Sequence, residues 1–293
     1  LDTDDNVRFV RPYNPGYRGY NPQSQSIHWS YKIFEKVHGV IVSTDELKRF
    51  HTPEHKHITV CPNSLDLSLR DNLPMPNHPG KIHLGWLGSA SHSENLEPIV
   101  EPIYQILKDY PQVICYMQGM YTSFFKKLPK ELESRVVNCE WKNLREWGKY
   151  LASLGLDIGL APLADNMFNR AKSNLRWLEY GINKTAVVVS PVEAYKNVIH
   201  LETGMIAKEP EEWYENIKIL IENEQLRKQI GENAYKSIKE NYNLEKNCVL
   251  WLKVFEETIK RYKRQKGKKL PYQQSKEQVK RVIESTHSKL STS

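Results

Sequence analysis

No stretch of this 293-residue chain approaches 18 consecutive apolar residues, so the sequence offers no transmembrane helix. Cysteine is scarce. Cys61, Cys115, Cys139 and Cys248 lie far apart, giving no C-x-x-C pair, no zinc spacing and no disulfide framework. Isolated thiols in apolar stretches suit a reducing, cytoplasmic setting. A G-x-G-x-x-G turn is missing, and with it the fingerprint of a nicotinamide oxidoreductase. A basic body is missing too. The formal net charge is +7, but residues 250–293 hold twelve Lys/Arg against four Asp/Glu, a net of +8, so the first 249 residues net −1. Charge therefore gives no support to a nucleic-acid-binding body. No internal repeat stands out. No signal peptide is visible, and the chain begins at Leu1 rather than Met, which leaves room for an upstream segment.

What is present is an alternation of short apolar runs with helical periodicity. Hydrophobic residues make up 39% of the chain, enough for a substantial core. Residues 39–43 and 57–60 read as strands, 24–36 as a helix, and Thr44 as an N-cap followed by Asp45 and Glu46. Residues 66–80, with Pro74, Pro76 and Pro79, read as a linker between a partial N-terminal α/β unit (1–65) and a C-terminal one (81–245). In the second unit, strands at 81–87, 113–117, 135–139, 156–161, 186–189 and 204–207 alternate with helices at 94–110, 124–134, 144–154, 172–182, 210–223 and 224–240. That order predicts a doubly wound parallel sheet. A helix over 246–265 and a basic, mobile tail over 266–293 complete the chain. The tail's cations beside Trp251, Phe255 and Tyr262 suit either a solvated segment or peripheral contact with anionic lipid at the inner face of a membrane.

The stretch from Leu156 to Pro191 is the most informative. It reads as strand, loop, helix, strand, with both strands buried on both faces. Ligands of such sheets bind beyond the strands' carboxyl ends. Lys172 sits at the expected helix start and Glu179 seven residues on, about 20° short of two full turns, so a continuous helix would place them on one face roughly 10 Å apart. A lysine at a helix start suits a phosphate, and a carboxylate one step further suits sugar or ribose hydroxyls. Exposed positions on an ordinary amphipathic helix explain the same spacing. A second turn, Gly85-Trp86-Leu87-Gly88-Ser89-Ala90-Ser91-His92, lets backbone approach a ligand, with Ser89, Ser91 and His92 as donors to phosphate or sugar; a tight strand-to-helix turn is the plainer reading. Asp2 and Asp4 form a D-x-D that a divalent cation can share, but no apolar strand precedes it, so a polar loop is the plainer reading. The tyrosines of residues 11–23 can line an acceptor cleft or pack the loop down.

Six ordered pieces carry a family resemblance: GVIVSTDEL (39–47), VCPNSLDL (60–67), IHLGWLGSASHSENL (82–96), DIGLAPL (157–163), NRAKSNLRWLEYG (169–181) and AVVVSPVEAY (186–195). Together they make the chain resemble the retaining GT-B glycosyltransferases of the family-four type, which include many bacterial lipopolysaccharide, capsule and O-antigen enzymes. The resemblance implies two Rossmann-like domains, here with a truncated first one, and a nucleotide-sugar donor held mainly by the second. It places Lys172, Ser173 and Asn174 by the donor phosphates, Glu179 on the ribose, and Gly88 and Ser89 in the turn facing phosphates and acceptor. His92 and Arg170 join the donor-binding set. The family's first glutamate, eight positions before Glu179, is Ala171 here, flanked by Arg170 and Lys172. The family's acceptor site and catalytic histidine are not located by the resemblance.

The expected function is glycosyl transfer from a nucleotide-diphosphate sugar to a glycan or lipid-linked acceptor, with Lys172 and Glu179 as the principal residues. The donor is the substrate; no further cofactor and no metal is expected. The alternative is a non-catalytic, glycosyltransferase-like module that binds a nucleotide or a partner chain.

Overall fold

The computed structural model describes residues 1–12, 14–89, 92–119 and 128–266. Two parallel sheets organise residues 1–251. The first has three short strands in the order β1 (Asp2–Thr3), β2 (Val40–Val42) and β3 (Ile58–Val60). Asp2 is therefore a strand residue, in register with Ile41, where the sequence reading placed a polar loop. Beside this sheet, Ser24 caps the helix Gln25–Lys36 by accepting from the Ile27 amide, and Thr44 caps Asp45–His51 by accepting from the Leu47 amide.

The second sheet has six strands, all parallel: β4 (Ile82–Leu87), β5 (Val113–Gln118), β6 (Val136–Cys139), β7 (Ile158–Ala161), β8 (Ala186–Val189) and β9 (Met205–Ile206). Their spatial order is β6-β5-β4-β7-β8-β9. This is the doubly wound Rossmann order, with the direction of winding reversing between β4 and β7. Side chains alternate across the strands. Ile158, Leu160, Ala186 and Val188 face one layer, where Ile103 and Leu107 of Val100–Asp109 meet Trp213 and Ile217 of Pro210–Glu222. Val187 and Val189 face the other, with Trp177, Leu178, Leu151 and Ile238. Both layers are apolar, as expected for parallel strands covered by helices on both faces.

The helix expected over 94–110 is divided. A turn Ser93–Leu96 and a 3-10 segment Glu97–Ile99 precede Val100–Asp109, because Pro98 and Pro102 lack the N–H that a continuous helix needs. Residues 124–127 of the expected 124–134 helix lie outside the described residues; Lys130–Arg135 is a 3-10 segment. Residues 61–81 join the sheets, with one helical turn at Leu67–Arg70. The last helix runs Leu244–Lys266, and the expected tail beyond it lies outside the described residues. Among the described residues, no helix is long and apolar enough to cross a membrane.

Candidate functional site

A cavity of about 170 Å³ opens beyond the carboxyl ends of β4 and β7, where the sheet reverses. Open α/β sheets bind ligands in this crevice. Its lining includes His92, Lys172, Ser173, Arg176 and Glu179 from the second sheet's loops and helices, and Asp4 and Asp5 from the loop after β1. Cations, carboxylates and an imidazole thus converge on one void from three segments that are far apart in the chain.

Glu179 is held from several sides. Its neighbour Tyr180 is fully buried, and the Tyr180 hydroxyl accepts from the Leu87 amide (3.0 Å) and donates to the Gly85 carbonyl (3.4 Å), pinning the helix Leu175–Gly181 to β4. Gly159 of β7 makes room for that ring: a Cβ there would stand 2.6 Å from it. The Trp147 indole N–H donates to Glu179 Oε1 at 2.6 Å, and Arg176 lies 3.9 Å from Oε2. One carboxylate oxygen is fixed by the indole, and the other keeps lone pairs for a ligand's hydroxyls.

Lys172 reaches the same cavity by a route that periodicity misjudges. The helix begins at Leu175 with Asn174 as its N-cap residue, after a separate turn at Met167–Arg170. Lys172 therefore stands in the loop between them, and a shared helical face is not what brings it to Glu179. Its Nζ lies 3.4 Å from Asp5 Oδ1 and 4.5 Å from the Phe168 ring centroid, a cation held by a carboxylate and an aromatic face. The preceding Ala171 is fully buried in a cluster with Phe34, Val40, Val42, Leu47 and Ile58, and its carbonyl accepts from Thr44 Oγ1 at 2.9 Å. The position where the family that the sequence resembles has a glutamate is thus an apolar anchor against the first sheet. A carboxylate there would be buried in an apolar cluster, at high cost.

His92 also lines the cavity, and its ring state follows from its neighbours. The Asn95 side-chain oxygen accepts from Asn169 Nδ2 (2.7 Å) and the Ala164 amide (3.0 Å), which leaves Asn95 Nδ2 as the donor to His92 Nδ1 (3.0 Å). Nδ1 is then an acceptor, and the neutral ring carries its proton on Nε2. Desolvation of the ring, together with the charges of Lys172 and Arg176, drives the imidazolium's pKa down to about 3. The ring at neutral pH is an uncharged N–H donor near two cations.

Gly88, Ser89 and His92 belong to an adjoining void of about 220 Å³, lined further by Gln118, Trp141 and Trp147 and sharing His92, Arg176 and Glu179 with the first. Ser91, expected to act with them, lies outside the described residues. A neighbour fixes this turn. Gly119, at φ +67°, follows β5, and a Cβ on it would fall 1.8 Å from the Gly88 carbonyl oxygen. Only glycine fits such a backbone approach. Ser173 borders the main cavity, where its hydroxyl accepts from Asn63 Nδ2 at 2.8 Å. Arg170 and Asn174 lie apart from it, in a separate cleft that also touches Ser173; Arg170 is engaged by both oxygens of Asp165.

Sequence reasoning passed over Arg176, Asp5, Trp147 and Gly119. Arg176 lies between Lys172 and Glu179 and had a signal, since a cation three residues before Glu179 shares its helix face. Trp147, Asp5 and Gly119 had none, because partners 32, 167 and 31 residues away in the chain are not visible in spacing. The two members of the D-x-D make different contacts: Asp4 accepts from Asn63, and Asp2 pairs within the first sheet. Among the described residues, no group of three or more His, Cys, Asp or Glu side chains is arranged to hold a metal ion.

This architecture is the GT-B glycosyltransferase fold, with a doubly wound sheet and a second α/β unit. A glycine-to-arginine mutant of Staphylococcus aureus TarM, crystallised with fondaparinux, α-GlcNAc-glycerol and UDP, superimposes with a TM-score of 0.65 at 16% identity, covering 87% of this chain and 50% of that one. Anabaena HepE in complex with UDP and glucose gives a TM-score of 0.62 at 15% identity, covering 79% of this chain and 67% of that one. In sequence, an uncharacterized glycosyltransferase of Methanocaldococcus jannaschii is 44% identical over 242 residues, which is 78% of this chain. It spans 60% of that curated relative's length. No protein-family model matches the chain.

Proposed function

We propose that this protein transfers a glycosyl group from a nucleotide-diphosphate sugar to a glycan or lipid-linked acceptor, with retention of configuration and without a metal ion. The observation that carries the reading is the convergence of Lys172, Arg176, neutral His92 and Glu179 on one cavity at the sheet's reversal point. In the step, the bond from the anomeric carbon to the diphosphate oxygen breaks and its electron pair stays with the diphosphate. The acceptor oxygen forms the new bond to the anomeric carbon and its proton passes to the departing diphosphate oxygen. Charge thus grows on the diphosphate, where Lys172 and Arg176 stand ready to oppose it and the His92 Nε2–H to donate. Glu179, oriented by Trp147, takes the ribose hydroxyls and sets the donor's register. The complexes of TarM and HepE with UDP support a UDP-type donor. The exposed Leu252 and Phe255 of the last helix, with Lys253 and Lys260 on the same element, suit contact with an anionic lipid surface.

Titration with UDP-, GDP- and ADP-sugars, following both binding and turnover, tests the reading. Lys172→Ala is expected to lower turnover at least about tenfold, a loss of roughly 1.4 kcal/mol of transition-state stabilisation, with the fold intact. Wild-type turnover in that variant removes Lys172 from the mechanism. Ala171, in place of a family glutamate, favours a second reading, a nucleotide-binding module without activity. Tight binding with neither hydrolysis nor transfer selects that reading.

A further inference from the structure

Two buried carboxamides stand behind His92: Asn95 is 3% exposed and Asn169 2%. They come from different loops. Asn95 belongs to the turn Ser93–Leu96 after β4, and Asn169 to the turn Met167–Arg170 that leads into Lys172. Each bonds the other, and one of them bonds the imidazole.

Which end of each amide is nitrogen follows from backbone atoms that cannot exchange roles. The Ala164 carbonyl only accepts, so the end of Asn169 that lies 2.9 Å from it is the NH2. That nitrogen also donates to Asn95 at 2.7 Å, and the Ala164 N–H donates to the same Asn95 atom at 3.0 Å, so this atom is oxygen twice over. The other end of Asn95, 3.0 Å from His92 Nδ1, is then the NH2. Turning Asn95 over would set its nitrogen against two donors where water has little access, a costly loss of buried hydrogen bonds. The backbone at Ala164 thus dictates the imidazole tautomer through two side chains. The Asn169 carbonyl also accepts from the Lys172 amide at 3.1 Å, so the clasp that orients His92 carries the chain into Lys172 as well.

An imidazole free to exchange tautomers would turn an Nε2 lone pair to the cavity part of the time, and diphosphate oxygens, being acceptors only, would meet no donor there. Resting on the donor reading above, we propose that Asn95 is a positioning residue for the donor diphosphate: backed by Asn169, it holds the His92 lone pair at Nδ1, so that Nε2 always offers the cavity an uncharged N–H. Lys172 and Arg176 supply the charge, and His92 supplies a directed hydrogen bond.

Asn95→Asp tests this, because it exchanges only the NH2 end for oxygen. A carboxylate oxygen beside Nδ1 draws the ring's proton onto that atom and raises the ring's pKa. At high pH the neutral ring then shows the cavity a lone pair at Nε2; at low pH the imidazolium carries N–H on both nitrogens and the donor returns. The charged groups that line the cavity with His92, namely Lys172, Arg176, Glu179, Asp4 and Asp5, are the same in both proteins. Their titration, and that of UDP itself, therefore cancels in the ratio of the variant's Kd for UDP to the wild type's. By calorimetry that ratio should be about tenfold at pH 8 and fall below about threefold at pH 5.5. Nitrogen-15 spectra of the His92 ring at pH 8 should show the proton on Nε2 in the wild type and on Nδ1 in the variant. The wild-type spectrum needs neither ligand nor substitution, so it decides the matter even if Asn95→Asp folds poorly. The proposal is overturned if the free wild-type ring is protonated on Nδ1 or exchanges between tautomers, or if the Kd ratio is flat with pH, as damage to a merely structural clasp would make it. A wild-type ring protonated on Nε2 in a protein that binds no UDP would instead overturn the donor reading and leave the hold of Asn95 on His92 in place.

Discussion

Acidification should destabilise this protein through His92, and by an amount the structure sets. The imidazole accepts from Asn95 and is desolvated near Lys172 and Arg176, so its pKa falls from an ordinary value of 6.5 to about 3. Above pH 6.5 the ring is neutral in both folded and unfolded chains and contributes nothing to the pH dependence. Below it, the unfolded chain takes up a proton that the folded one refuses, so stability drops as pH falls, down to about 3. At pH 5 the gap of about 1.5 units from the unfolded value corresponds to roughly 2 kcal/mol, an upper figure because the ring is not fully enclosed. Urea unfolding followed by tryptophan fluorescence at pH 7 and pH 5 measures the loss. His92→Gln keeps a donor and an acceptor but does not titrate, so its loss between the two pH values should be smaller by up to about 2 kcal/mol. The slopes from His51 and His83, whose pKa values are also lowered by burial, are common to both proteins and cancel. UDP should raise the His92 titration in NMR, because a diphosphate offsets the two cations. Parallel stability profiles for the two proteins, or a His92 ring titrating near 6.5 in the free protein, would refute the reasoning.

Two substitutions test the scaffold. Gly119→Ala places a methyl group 1.8 Å from the Gly88 carbonyl on a backbone at φ +67°, so it should cost at least about 2 kcal/mol in urea unfolding and weaken UDP binding by shifting the Gly88–Ser89 turn. Tyr180→Phe strips the buried Leu87 amide of its acceptor and should cost about 1–3 kcal/mol; a Tm equal to the wild type's would show that the hydroxyl does not hold the helix to β4.

Much of the second sheet is legible in the sequence because parallel strands buried on both faces leave continuous apolar runs. Stretches such as Ile158–Ala161 and Ala186–Val189 are not confused with the periodic helices between them. The cap at Thr44 is legible for a local reason: its side chain bonds an amide three residues ahead. Where neighbours in space are far apart in sequence, pattern fails. Spacing puts Lys172 on a helix that begins three residues later, since Ala171 is drawn into the first sheet's apolar cluster just after the earlier turn. Arg170 and Asn174 share the motif with Lys172 yet face another cleft, a divergence that pattern does not encode.

Composition, periodicity and local hydrogen-bonding chemistry thus determined the alternating elements, the class of sheet and the loop that borders the cavity. Tertiary structure decided the rest. It brought Asp5 to Lys172 and Trp147 to Glu179, left glycine the only residue type able to pass Gly88 at position 119, and desolvated His92 near two cations until its charge was lost. The reason is range. Propensity and capping act over a few residues, whereas desolvation, ion pairing and steric exclusion depend on whatever the fold places alongside, however far along the chain it lies.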